Sequence, residues 1–482
     1  MKVLYSNVPK RRFAETRLDK AVRKFLTTDL YYVLIVAIVT LAWALKNEKL
    51  GFIGLIGVSS IVLLFADDVV PLTINIFAAF LMIYDSNVST FLYLWPTFIP
   101  LGIALAVFVV RNAGKRPFRL GKMFFPQLAV SVALLLGGVG FLDKESYVRG
   151  LPNAIALGIG VLAVYLLYAN FAKRDEKRDY GLMTGKMLMY IGIAVCVELV
   201  IAIMRSGITA DKWDTSYWDF GWGNRNNIAT FLLFSAPMCF YLATRYAKSG
   251  WLYMLVGILQ YVCLILTFSR GGILFGAIGA VFALAFTIIK SPSRKQTLIS
   301  LGVYVVIFGV TAYFLRDKIS GIAESLIRRG TGLSGRDMLY EEGVELFKQH
   351  PIFGVGIGYI GTGPCPITTM QIYLYHSTAI QIIASAGAIG IAAYAYYYAT
   401  RFYLLFRNGG HKFNLFMLAV WIGFEGYSMM DTGTFVPFPN MMLVIILTFI
   451  LEINPSDKRF EGVADEYNSL FPKRKKLAKN AK

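Results

Sequence analysis

Residues 316–390 read RDKISGIAESLIRRGTGLSGRDMLYEEGVELFKQHPIFGVGIGYIGTGPCPITTMQIYLYHSTAIQIIASAGAIG, and this stretch decides how the chain is understood. Its first part, 316–375, is a polar connection of about sixty residues between apolar runs, in a chain whose other connections are short. It carries four arginines, Arg316, Arg328, Arg329 and Arg336. At His376-Ser377 the composition changes abruptly and a new apolar helix begins.

On either side of it the chain is apolar almost throughout. Of 482 residues, 56% are hydrophobic and the mean hydropathy is +0.58, which excludes a soluble protein. Runs of roughly 18 or more apolar residues recur, each long enough to cross a hydrocarbon core as a helix. They lack the alternation of barrel strands, so the expected fold is all-α and polytopic. Fourteen spans are expected, at 29–45, 50–66, 69–84, 90–110, 123–142, 150–172, 187–204, 226–244, 251–268, 271–289, 297–315, 376–399, 413–430 and 436–453. The chain then divides into a basic amphipathic segment 1–28, eleven spans over 29–315, the loop 316–375, three spans over 376–453 and a basic tail 454–482.

The net charge of +19 is explained by where it sits. With a cytoplasmic N-terminus, 34 of the 48 lysines and arginines fall on the cytoplasmic side, which places both termini there. The basic tails meet anionic lipid headgroups, and nucleic acid is a poor second. Leu18, Val22, Phe25 and Leu26 recur at helical spacing among basic residues, the pattern of an interfacial helix. No cleavable leader precedes the first run, which is expected to stay as a signal anchor. Cys196, Cys239 and Cys263 fall within spans and only Cys365 lies outward, so no outward disulfide within the chain is expected. No metal-ligand spacing is present either, and neither metal nor cofactor is expected.

Several residues stand out against this background. Asp67, Asp68 and Asp85 lie at span ends, where solvated carboxylates are ordinary, whereas Glu198 and Glu425 fall inside spans and are expected to be hydrogen-bonded between helices. Trp213, Tyr217, Trp218, Phe220 and Trp222 form either an interfacial aromatic belt or, with Asn226, a sugar-binding surface. Arg225 stands where the eighth span begins, so the unpaired N–H groups of that helix add to its field. In Phe268-Ser269-Arg270-Gly271-Gly272, Ser269 can cap the next helix and Arg270 is a fixed cation suited to a diphosphate. Gly272 and Gly276 have the spacing of close helix packing. Ser334-Gly335-Arg336-Asp337 has the form of a capping box opening a helix over 335–349, after a shorter one over 318–329. Arg336 then sits in a first turn, where a cation is disfavoured, which suggests a duty toward an anionic substrate. Gly354, Gly356, Gly358, Gly361 and Gly363 make either a pliable surface for a sugar or lipid phosphate, or a re-entrant turn.

The pattern His376, Ser377, nine residues, Gly387, two residues and Gly390 resembles a signature of the O-antigen ligase and polymerase family of membrane glycosyltransferases. Ser269-Arg270-Gly271-Gly272, Gly335-Arg336 and His350-Pro351-Ile352-Phe353-Gly354-Val355-Gly356 are similar to other turns of that family, in the same order, over about 220–450. The resemblance implies a GT-C-like bundle of twelve to fourteen helices in the bacterial inner membrane, with the site on the outer face. It implies a donor glycan on a polyprenyl diphosphate, usually undecaprenyl, transferred without metal to a sugar hydroxyl on a lipid-linked or terminal acceptor. His376 would act as base, Arg270 and Arg336 would neutralise the leaving diphosphate, and Arg225, Asn226, Arg328, Arg329, Ser377 and Trp222 would line the substrate. A flippase or transporter of polyprenol-linked glycans is the alternative. It requires a charged cavity through the bilayer rather than arginines gathered on one face.

Overall fold

The computed structural model describes residues 16–82, 96–113, 117–173, 178–207, 209, 225–328, 336–361, 373–431, 433–454 and 462. Among them every regular element is helical. In chain order these are α1 (Arg17–Phe25), α2 (Asp29–Ala44), α3 (Glu48–Phe65), α4 (Thr73–Leu81), α5 (Phe98–Asn112), α6 (Phe124–Leu136), α7 (Lys144–Ile155), α8 (Val161–Phe171) and α9 (Tyr180–Ser206). They continue as α10 (Arg225–Arg245), α11 (Gly250–Leu266), α12 (Arg270–Lys290), α13 (Arg294–Phe314), α14 (Arg316–Arg328), α15 (Arg336–Gln349), α16 (Thr378–Phe406), α17 (Lys412–Met430) and α18 (Met442–Ile453). Among the described residues, seven helical stretches are long and apolar enough to cross a membrane, with α7 and α8 counted as one through a π-turn. The pair α1 and α2, bent by 73°, makes an eighth if taken as one span, and five apolar helices are shorter.

Local chemistry sets many of the helix ends. Asn47, Asp143, Asp179 and Ser293 each accept a backbone N–H of the first turn they precede, and Gly207 closes α9 in the left-handed conformation at φ 60°. Burial differs sharply between helices. In α10, 94% of the span is buried and it packs on α9, α11, α12 and α17, so it is the axis of the bundle. In α13 only 11% is buried, so its apolar surface is left to lipid.

Charged groups pin the end of the bundle away from the 316–375 segment. Lys186 on α9 pairs with Asp29 on α2 at 2.8 Å, and Arg245 on α10 with Asp179 at 2.7 Å. Asp67 and Asp68 are not solvated as expected. Asp68 is buried and accepts from Arg178 and from the Tyr180 hydroxyl (3.1 Å), while Asp67 pairs with Lys173 at 2.6 Å. Carboxylates that gather several cations can be withdrawn from water at tolerable cost. Glu425 is hydrogen-bonded between helices, accepting from Arg401 at 2.6 Å and Tyr398 at 3.1 Å. Glu198 is not: it is fully buried with neither carboxyl oxygen hydrogen-bonded, and nothing around it accounts for that. Asp85 lies outside the described residues.

One helix is broken, against the expectation of continuous spans. Inside α16, Gly387 has φ 61° and ψ −151°, a conformation open essentially only to glycine. The backbone groups that the break frees are taken up by the segment after His350-Pro351. Val355 N–H donates to Ala384 O (2.7 Å) and Gly356 N–H to Ser385 O (3.0 Å). In return Ala388 N–H donates to Pro351 O (2.8 Å) and Ile389 N–H to Ile352 O (3.3 Å). A Cβ on Gly354 would lie 2.4 Å from Ala384 O. The glycines of this segment therefore allow backbone to dock on backbone, and Gly354 and Gly356 are buried in that contact; of the two readings, a pliable surface or a re-entrant turn, the surface is not what these two form.

Gly387→Ala is expected to destabilise the protein by about 2 kcal/mol or more, because its Cβ would stand 2.5 Å from Ile352 O in a disfavoured conformation. Gly302→Ala, where a Cβ meets nothing within 4 Å, is the control. Thermal unfolding in detergent should show a lowered midpoint for the first and none for the second.

Candidate active site

Five helix termini meet at the end of the bundle that carries the 316–375 segment: the N-termini of α10, α12, α15 and α16 and the C-terminus of α17. Asp431, the residue that ends α17, joins most of them. Its Oδ1 lies 3.0 Å from His376 Nδ1. Its Oδ2 accepts from Asn226 Nδ2 at 3.2 Å and from the Tyr427 hydroxyl at 2.9 Å, with Arg336 Nη2 at 3.9 Å. Arg336 Nη1 also donates to the Met430 carbonyl, the last one of α17. The cation disfavoured at the start of α15 is thus favourably placed at the end of α17.

Arg270 and Arg225 are brought to the same end by packing. A Cβ on Gly271 would lie 3.1 Å from the Tyr427 ring and 3.9 Å from Met430 Cβ, so the first turn of α12 rests on the last turn of α17. A Cβ on Gly272 would be 3.0 Å from Ala229 Cβ on α10, and one on Gly276 2.4 Å from Leu264, which makes both glycines close-packing positions. Arg270 is exposed beside this contact, and Arg225 is the first residue of α10, next to Asn226. Four helix N-termini and three guanidinium groups together make a strongly positive surface.

The electrostatics of Asp431 follow from this. Burial alone would raise its pKa, but the hydrogen bond and charge of His376, then Arg336 and the Tyr427 hydroxyl, outweigh it and hold the carboxyl below its ordinary value of 3.8. As an anion Asp431 only accepts, so Nδ1 of His376 carries a hydrogen, and in the neutral imidazole the lone pair falls on Nε2. The His376 side chain is 36% exposed, so that lone pair can be reached by a substrate.

His376 is also held by its backbone. It has φ 52°, and Phe268, two residues before Arg270, has φ 57°. Bulky residues in this region cost about 1–3 kcal/mol each and persist only where the surroundings impose them. The Tyr340 hydroxyl donates to the His376 carbonyl at 3.0 Å. Gln381 clamps the preceding residues, accepting from Tyr375 N–H and donating to the Tyr373 carbonyl, both at 3.0 Å.

Of the residues singled out in the sequence, His376, Arg336 and Asn226 converge on one carboxylate, with Arg270 and Arg225 on adjoining helix ends. Ser377 is buried at the N-cap of α16, where its side chain caps nothing, so it is part of the wall rather than the surface. Ser269 does not cap α12; its N–H donates to Thr267 Oγ1 at 3.3 Å. Trp222, the aromatic run before it, Arg329 and the Ser334-Gly335 part of the capping box lie outside the described residues, as does the side chain of Arg328. The sequence reading missed Asp431, Tyr427 and Tyr340. The signal for Asp431 was available: a carboxylate at a helix C-terminus opposes the dipole, the same argument that marked Arg336.

The model of the family described as O-Antigen ligase matches residues 254–395. Residues 254–395 are thus similar to the O-antigen ligase family. No curated protein matches the chain. Within the matched range lie Arg270, Arg336 and His376, whereas Arg225, Asn226 and Asp431 fall outside it. The partners that orient its histidine are thus drawn partly from helices beyond it.

Since Asp431 has a lower pKa folded than unfolded, its contribution to stability is full above the unfolded value and is lost as pH falls through the folded one. The midpoint difference between wild type and Asp431→Asn in thermal unfolding should stay constant near neutrality. It should shrink on acidification below about pH 4. A difference that grows on acidification would contradict the assignment.

Proposed function

We propose that this protein transfers a glycan from a polyprenyl diphosphate, of the undecaprenyl type, to a sugar hydroxyl at the outer face of the bacterial inner membrane. Fourteen helices cross the membrane in a GT-C-like bundle with both termini in the cytoplasm, a topology supported by the distribution of basic residues. The observation that carries the reading is the His376–Asp431 pair at 3.0 Å among arginines at converging helix N-termini.

The chemistry follows from these groups. The acceptor O–H attacks the anomeric carbon, and the bond from that carbon to the diphosphate oxygen breaks. Its electron pair leaves with the lipid diphosphate, whose charge Arg270 and Arg225 meet directly, helped by the helix N-termini. The acceptor proton passes to His376 Nε2, and Asp431 stabilises the imidazolium that forms. Arg336 supports the site through Asp431 and the end of α17 and adds to the positive field. No metal is needed in this scheme, since guanidinium groups and helix ends carry the charge stabilisation. Polymerisation onto another lipid-linked unit and ligation to a terminal acceptor share every one of these steps. The gathering of cations at one end, rather than along a path through the bundle, favours transfer over the alternative of a flippase.

His376→Ala is expected to lower transfer by about 10²–10⁴-fold, with normal membrane insertion, in an assay with a defined polyprenyl-diphosphate oligosaccharide and purified protein. Arg270→Ala should be similarly inactive, and EDTA should have no effect. Wild-type rates in either variant, or activity lost to EDTA and restored by a divalent ion, would refute the corresponding part of the scheme.

A further inference from the structure

Arg336, Tyr340 and Gly343 stand at i, i+4 and i+7 of α15 and so share one face, which is turned to the start of α16 and the end of α17. Arg336 reaches the Met430 carbonyl and Asp431. Gly343 lets the helix lie flush on α16: a Cβ there would be 2.3 Å from Ile380 and 3.1 Å from the Tyr375 ring. Glu342 fixes the same turn by accepting from the hydroxyls of Tyr359 (3.1 Å) and Tyr373 (2.7 Å). Between these attachments the Tyr340 hydroxyl donates to the His376 carbonyl at 3.0 Å.

That bond falls where the backbone of the base is strained. His376 has φ 52°, a left-handed conformation uncommon for any residue but glycine. Its carbonyl precedes the ladder of α16, whose first bond runs from Gln381 N–H to Ser377 O. Among the described residues, the Tyr340 hydroxyl is the one donor the His376 carbonyl receives. Gln381 holds the residue before, through Tyr375 N–H, but not the His376 carbonyl itself. Losing the Tyr340 donor therefore lets His376 relax toward the extended backbone, and the change in φ turns its Cβ and imidazole off Asp431. Away from that carboxylate the neutral imidazole is no longer committed to a hydrogen on Nδ1, and the lone pair is shared between its two nitrogens.

We propose that Tyr340 is a positioning residue for the base: its hydroxyl keeps His376 in the left-handed conformation in which Nδ1 faces Asp431 and Nε2 is left for the acceptor proton. Tyr340 acts through His376 and not on the substrates. The effect on turnover rests on the glycosyl-transfer reading, whereas the effect on the imidazole stands apart from it. The surface helix α15 thereby gains a part in the reaction. Arg336 holds Asp431 and Tyr340 holds His376, so both members of the pair are set from one helix.

The test is nitrogen NMR on the full chain in phosphatidylcholine nanodiscs, isotope-labelled in its histidine rings, at about pH 8.5, where ordinary histidines are neutral. The chain has 3 histidines, so His376 is assigned by the signal that His376→Gln removes. In wild type its ring should show one tautomer, with Nδ1 protonated and Nε2 bare. Tyr340→Phe keeps the ring and removes only the hydroxyl. It should give a mixture of both tautomers and lower kcat for glycan transfer by about tenfold, with KM for the donor kept within about twofold. Met338→Ala, on the outer side of α15 where Met338 is 71% exposed, controls for a general loosening of the helix and should change neither. Four results would each overturn the proposal: a mixed tautomer in wild type, the wild-type tautomer in Tyr340→Phe, a raised KM with unchanged kcat in Tyr340→Phe, or the same mixture in Met338→Ala. A wild type that shows the single tautomer but transfers no glycan counts against the transfer reading, and the tautomer in Tyr340→Phe still decides the positioning role.

Discussion

The structure at the functional end of this protein depends on a carboxylate placed where a helix opposes it. The last turn of α17 exposes carbonyls and carries the negative end of the dipole, and Asp431 adds a full negative charge there. Left alone that arrangement is unfavourable. It is made stable by groups from elsewhere: the imidazole of His376 before α16, the guanidinium of Arg336 on α15, the amide of Asn226 on α10 and the Tyr427 hydroxyl one turn back. Three separate elements are thereby tied to the end of a fourth, and the imidazole is fixed with one nitrogen available.

The rest of the bundle holds these termini in register. At the opposite end, buried ion pairs lock α2 to α9 and α9 to α10, and Lys412 at the start of α17 donates to Thr244 O on α10 at 3.1 Å. Near the site, the break at Gly387 lets the segment after α15 hydrogen-bond to both halves of α16. Gly387 therefore serves to join the segment after the surface helix to the membrane helix, and His376, the proposed base, opens the same stretch. One short motif carries both tasks because the loop that presents the histidine must itself be anchored.

Much of this was legible in the sequence. Apolar runs exposed the helices, since span length is set by bilayer thickness, and the two surface helices of the loop followed from periodicity and from His350-Pro351. The cations were legible because Arg336 stands where the helix dipole disfavours it and Arg270 is a fixed cation in a tight, glycine-flanked turn. What stayed hidden depends on tertiary contact. Asp431 stands out only as a carboxylate at a helix C-terminus, and its partner His376, 55 positions earlier, shows only when the two are side by side. The ion pairs of Asp67 and Asp68 with Lys173 and Arg178 join residues more than a hundred positions apart, so their span-end location suggested solvation instead. Nothing in the spacing of Gly354 and Gly356 says that their segment docks on a helix interrupted thirty residues on, where Val355 and Gly356 N–H donate to its carbonyls.

In the proposed reaction His376 and Asp431 act as one unit. A double-mutant cycle on the turnover rate for glycan transfer, with His376→Gln, Asp431→Asn and the pair together, tests it most directly. Each single change should lower the rate steeply, and the double variant should be scarcely slower than His376→Gln alone. Fully additive effects in the logarithm of the rate would mean that the two residues work independently, and would contradict it.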